Sequence, residues 1–88
     1  MSNYRIEFLK TAKKELAKLP KEIQQRIANR IEALIVDPYP VHTKKLKNGN
    51  GLLRIRVGDY RIIYRVEAEK LIILVIKIGH RRDIYTQI

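Results

Sequence analysis

The 88-residue chain has no cysteine, which excludes disulfides and thiolate metal sites and suits a reducing compartment. Its only serine is Ser2, so serine and cysteine nucleophiles are both ruled out as a basis for catalysis. The longest apolar run, LIILVI at Leu71–Ile76, falls far short of the ~20 residues that cross a bilayer as a helix. The opening MSNYRIEFLK contains no apolar stretch of the signal-peptide type. A soluble cytoplasmic domain with no membrane partner is therefore expected. Acidic residues are scarce as well: 9 Asp+Glu stand against 19 Lys+Arg, a formal charge of +10. Self-repulsion on that scale weakens the folded state and points to an anionic partner, nucleic acid first and an acidic protein second.

The carboxylates are too scattered for a two-metal site. Glu7, Glu15, Glu22 and Glu32 fall in a first strand or on helices, Asp59 sits in a turn and Asp83 stands alone. His42 reads as a surface residue of a long loop. Gly49 and Gly51 flank Asn50 without the helix a phosphate cradle requires. No metal and no small-molecule cofactor are expected.

A hydrophobic content of 45% with 32% charged residues describes a folded chain, expected as one domain over residues 1–88. Tyr4, Ile6 and Phe8 alternate with Arg5 and Glu7 as a short strand. Leu9, Ala12, Leu16 and Leu19 follow helical spacing, with Lys10, Lys13, Lys14 and Lys18 on the other side. Thr11 is expected to help cap that helix. Pro20 ends it and suits the first turn of a second, which carries Ile23, Ile27, Ile31, Leu34 and Ile35 and stops before Pro38. So short a connection predicts an antiparallel helical hairpin. DPYPVHTKKLKNGNG reads as a loop.

From Leu52 onward the pattern has period two. Gly58-Asp59 predicts a tight hairpin turn with Val57 facing Tyr60, Arg56 facing Arg61, Ile55 facing Ile62, Arg54 facing Ile63 and Leu53 facing Tyr64. A second turn over Glu67–Lys70 leads into LIILVIKI, apolar on both faces like a central strand, and places Arg61 opposite Ile76. The expected fold is α+β, in the order β-α-α-β-β-β, a mainly antiparallel sheet with the helical hairpin on one face. That face would carry Leu53, Ile55, Val57, Tyr60, Ile62, Tyr64, Val66, Ile73 and Val75. The opposite face would carry Arg54, Arg56, Arg61 and Arg65 beside Ile63, Leu74 and Ile76. Those three apolar residues suit either a secondary core or the seat of an amphipathic helix from a partner.

Like charges facing one another on a sheet are destabilising, by roughly 0.2–1 kcal/mol per pair. Arg56 against Arg61 is such a pair, and a phosphate between them would explain its presence. GHRRDIY then brings His80, Arg81, Arg82 and Tyr85 to one end of the sheet, with Gly79 expected to bend the chain. Metal-free RNA cleavage needs stabilisation of the phosphorane and two proton transfers. Arginine supplies the first but is no ordinary base, so the proton exchange falls to His80 or Tyr85.

The order LPKEIQQRI, DPYP, KKLKNGNGLLRIRVGDYRIIY, IKIGHRRDIY resembles the RelE/ParE superfamily of toxins over nearly the whole chain. RIRVGDYRIIY and GHRRDIY are its most specific parts. The resemblance implies a RelE-like fold and an mRNA interferase that cuts mRNA in the ribosomal A site, with ribosome and mRNA as partners. It also implies a RelB-like, acidic antitoxin. Carried over by position, Arg54 and Arg56 bind the phosphate, Arg61 stabilises the transition state, Arg81 assists the leaving group, and Tyr85 stacks on a base or moves a proton. Arg65, Arg82, Lys44, Lys45 and Lys47 are expected as further RNA contacts. The best-known bacterial members carry lysines where this chain has Arg54 and Arg56, and one of those lysines has been argued to be the base. Two other readings stand beside this one: a ParE-type poison of DNA gyrase, and a non-catalytic RNA- or ribosome-binding module.

Overall fold

The computed structural model describes residues 4–46 and 51–84. Its elements are β1 (Arg5–Phe8), α1 (Lys10–Ala17), α2 (Lys21–Ala33), β2 (Lys44–Lys45), β3 (Leu53–Val57), β4 (Tyr60–Glu67), β5 (Ile72–His80) and α3 (Arg81–Ile84). The strands form one mixed sheet in the order β1-β5-β4-β3-β2. β1 runs parallel to β5, and the other pairs are antiparallel. The architecture is α+β, as the patterning predicts, with two further short elements: β2 lies inside the expected loop, and α3 follows β5.

Sheet and helix meet at Leu9, whose N–H donates to Val75 O at 2.9 Å before α1 begins. Leu9 is the N-cap and no side chain caps the helix, so Thr11 does not take the expected role; it lies within α1. Pro20 is the N-cap of α2. The Gln24 amide donates to Leu19 O at 2.8 Å and to Ala17 O at 3.2 Å, satisfying carbonyls that the end of α1 leaves without helical partners. Ala12, Ile27, Ile31 and Leu34 of the helical layer pack on Leu53, Ile55, Ile62, Tyr64, Ile73, Val75 and Ile78.

The β3–β4 hairpin has the predicted register throughout, from Leu53↔Tyr64 to Val57↔Tyr60. Gly58 takes φ +58° at its turn, a conformation open to glycine at little cost. The β4–β5 pairing differs from expectation. Arg61 faces Gly79, not Ile76. The turn after Glu67 has no glycine, and it is longer than a tight turn, with Leu71 at φ 56° and pairing beginning at Glu67↔Ile72. A bulge between Ile63 and Tyr64 then shifts the register once more, so Ile63 pairs with Lys77 while Tyr64 pairs with Val75. A one-residue shift moves side chains to the other face of a sheet. Past Ile76, Lys77 and Gly79 therefore share the arginine face, and Ile78 joins the core. Gly79 is a paired strand residue, not the expected bend; the chain turns after His80.

Beyond Phe8, β1 no longer covers β5. Glu15 of α1 fills in: Ile78 N–H donates to Glu15 Oε1 and Lys77 Nζ to Glu15 Oε2, both at 3.0 Å. At the other end of the sheet, Tyr64 O–H donates to Pro38 O at 2.7 Å and lies 3.3 Å from Thr43 Oγ1, tying the 36–43 loop to β4. Among the described residues no helix is long and apolar enough to cross a membrane.

Candidate functional site

Three strands place Arg56, Arg61 and Gly79 in one row across the sheet. Arg56 is exposed, but Arg61 is only 6% exposed. Its Nη1 donates weakly to Tyr60 O at 3.3 Å and Gly58 O at 3.4 Å, and among the described residues its Nε has no hydrogen-bond partner. Among the described residues no carboxylate pairs with it. A buried cation held by carbonyl dipoles is costly to the fold and well suited to a bound anion. Gly79 leaves its side of the row without a side chain.

The C-terminal segment arrives beside this row. Arg81 N–H donates to Asp59 O at 2.8 Å, which fixes the start of α3 next to the β3–β4 turn. Arg81 and Arg82 are exposed. His80 pairs with Tyr60, whose ring it meets edge-on at 5.6 Å between centroids. Tyr60 packs on the core, so His80 lies on the face away from Arg61, a consequence of the bulge at Ile76. Its Nδ1 accepts the Arg82 N–H at 3.2 Å; that nitrogen is an acceptor, and the ring helps shape the turn into α3.

The remaining expected residues spread out. Arg54 sits between Ile63 of β4 and Lys44 of β2, and Lys44 and Lys45 form the exposed sheet edge. Arg65 lies four residues along β4 from Arg61, about 13 Å at strand rise, and pairs with Glu67 at 3.5 Å. The structure thus separates it from the cluster. Lys47 and Tyr85 lie outside the described residues.

Two hollows beside β3 involve residues that the sequence patterning did not single out. One, of about 450 Å³, is lined by Arg30, Val41, His42, Thr43, Lys44, Arg54 and Arg56. The other, shallower, adds Arg26 and Asn29 of α2 and reaches Gly58. Arg26 and Arg30 each precede a core isoleucine, Ile27 and Ile31, and that offset of one residue was the available signal. Tyr64 is a core residue by its spacing, and its hydroxyl also anchors the loop that bears His42 and leads into Lys44. Burial pushes its phenol above the ordinary 10.0, against the opposing hydrogen bond from Thr43.

Residues 6–85 match the family model described as the ParE toxin of a type II toxin–antitoxin system, parDE. The toxin RelG of Mycobacterium tuberculosis is 30% identical over 83 residues, covering 93% of this chain and 95% of that one. The toxin RelE3 of Methanocaldococcus jannaschii is 33% identical over 85 residues, covering 92% and 94%. In the crystal structure of the archaeal RelE–RelB complex from Pyrococcus horikoshii, the matching chain superposes with a TM-score of 0.79 at 31% identity, covering 92% of this chain and 98% of that one. The chain belongs to the RelE/ParE superfamily and is a RelE-like toxin of a type II toxin–antitoxin system.

Proposed function

We propose that this toxin is a ribosome-dependent endoribonuclease that cleaves mRNA in the ribosomal A site. The observation that carries the reading is the row Arg56–Arg61–Gly79, with its buried guanidinium and Arg81 anchored alongside. In the reaction the 2′-oxygen forms a bond to the adjacent phosphorus while the bond to the 5′-oxygen breaks. The 2′-hydroxyl proton leaves to a base, and the 5′-oxygen gains a proton. The products are a cyclic phosphate and a 5′-hydroxyl. Charge builds on the phosphorane oxygens, where preorganised cations contribute most. Arg56 and Arg61 hold those oxygens and Arg81 steadies the departing one. Lys44, Lys45, Lys47, Arg54 and Arg82 contact flanking phosphates. Arg56 stays protonated and cannot be the base. On the resemblance the proton transfer goes to Tyr85, and His80 takes a positioning role at the start of α3.

The regulatory partner is an antitoxin of RelB type, bearing acidic groups that meet the basic face. Its model is the RelB bound to the Pyrococcus horikoshii relative. The description of the matching family model supports a second reading, a ParE-type poison of DNA gyrase.

The test is a cell-free translation reaction with purified protein beside Arg81→Ala, mapping mRNA 5′ ends. New ends that require engaged ribosomes and vanish with Arg81→Ala are expected. Intact mRNA with normal translation would overturn the proposal and call for a gyrase supercoiling assay. Intact mRNA with arrested translation would reduce the protein to a ribosome binder.

A further inference from the structure

α2 carries two stripes. Ile23, Ile27 and Ile31 form the one that packs on the sheet, and Arg26, Asn29, Arg30 and Ala33 form the one beside it. Residues three and four apart on a helix are neighbours, so this second stripe is continuous; it walls the shallower hollow along β3, and its Arg30 extends into the other. Arg56 and Arg30 line both. Among the described residues no Asp or Glu lines either one. Among the described residues, Arg26, Arg30, Lys44 and Arg56 make no ion pair. The groove also runs into the site. The Arg26 guanidinium lies 3.5 Å from where a Cβ on Gly58 would sit, and Gly58 O accepts from Arg61 Nη1. One glycine of the hairpin turn thus separates the helix arginines from the buried one.

We propose that this groove, walled by Arg26 and Arg30 of α2 against Arg56 of β3, is an RNA-backbone track that holds phosphates flanking the one at Arg61. The inference rests on the RNA-directed reading of the site and adds to it two residues that contact RNA. Arginine's planar fork matches phosphate oxygens in pairs, and a line of such forks follows a polyanion. An extended peptide adding to the sheet is the less suitable occupant. β2 already covers Leu53 and Arg54, so only Ile55–Val57 remain at that edge, fewer than the ~5–6 residues of a typical strand.

The experiment uses full-length protein and a fluorescent single-stranded RNA 12-mer with 2′-O-methyl riboses, which binds without being cleaved. Its affinity is read by anisotropy across a salt series for wild type, Arg26→Gln/Arg30→Gln, the charge-preserving Arg26→Lys/Arg30→Lys, and Lys13→Gln/Lys14→Gln on the exposed side of α1. Each phosphate contact to a single strand contributes about 0.7 to the salt slope. The Gln pair on α2 should therefore lower the slope by about 1.4 and weaken binding roughly 25-fold at 0.1 M salt, while the Lys pair keeps most of the slope. The α1 pair should change it by far less. Equal losses from the α1 and α2 pairs would overturn the track, since net charge alone would then explain them. So would an unchanged slope, including the case where the α2 pair weakens only the binding of a polyglutamate peptide. Ribosome-dependent cleavage is measured separately on the same proteins. Cleavage with an unchanged slope sinks the track alone; a reduced slope without cleavage sinks the nuclease and leaves the track.

Discussion

Tyr64→Phe removes one oxygen from the middle of the molecule and acts on two observables. The ring is fully buried, so the substitution leaves its packing intact. What it removes is the 2.7 Å bond to Pro38 O and the contact with Thr43. A buried acceptor left without its donor costs about 1–3 kcal/mol. Pro38 is only half-buried, so the cost belongs near the lower end, about 1–1.5 kcal/mol. For a chain of this size the melting temperature should fall by roughly 4–8 °C per kcal/mol. Ionisation supplies the second signature. Tyr64 titrates above 10.0 in the folded protein because burial disfavours the phenolate. The unfolded chain therefore ionises first as pH rises. The contribution of this group is complete below the unfolded value and is lost as pH climbs through the folded one. Other tyrosines and lysines titrate in the same range, so the informative quantity is the difference between the two proteins. Thermal melts of wild type and Tyr64→Phe from pH 7 to 11 should show a gap that narrows above pH 10. A constant gap, or no gap at pH 7, would refute the argument.

Arg61→Met should abolish cleavage while leaving stability unchanged or raising it by about 1–4 kcal/mol, since a buried charge without a carboxylate is replaced by an apolar chain; calorimetry beside the translation assay checks both. Glu15→Ala leaves the Ile78 amide without its acceptor and should destabilise by about 1–3 kcal/mol, with faster hydrogen exchange at that amide. Gly58→Ala should cost about 1 kcal/mol, because the strain comes from φ +58° and the 3.5 Å approach to Arg26 is ordinary contact; denaturant melts give the value, and the Arg26 side chain should barely move in an NMR comparison.

The parts of the fold that were legible are those encoded locally. Gly58-Asp59 between two alternating runs determines a register, and each predicted pair from Leu53↔Tyr64 to Val57↔Tyr60 is present. Ile23, Ile27 and Ile31 mark one helix face by spacing alone. The pairing of β4 with β5 was not legible, because neither the long turn at Ala68–Leu71 nor the bulge at Ile76 carries a glycine or asparagine to mark it. That bulge decides which face His80 takes, so a feature of backbone register governs where a titratable side chain lies. β2 was hidden for another reason: Lys44 and Lys45 pair through backbone groups that any residue possesses. Alternation placed Arg61 on the correct face, but its depth depends on how neighbouring strands close around it. Arg26 and Arg30 fall one residue before Ile27 and Ile31 of the core stripe. What brings them to Arg56 is the tertiary placement of α2 along β3, which no local pattern encodes.

The parallel pairing of β1 with β5 bears on how the toxin comes into being. Arg5 is matched with Ile72 and Phe8 with Val75, so the first strand cannot dock until most of the chain has been made. The helical hairpin and the β3–β4 hairpin involve near neighbours and can form early, whereas contacts of such long sequence separation form late and slow folding. β5 also supplies Gly79 to the arginine row and leads into the segment carrying Arg81. The emerging polypeptide therefore closes its core and completes its arginine row only once that last strand is in place.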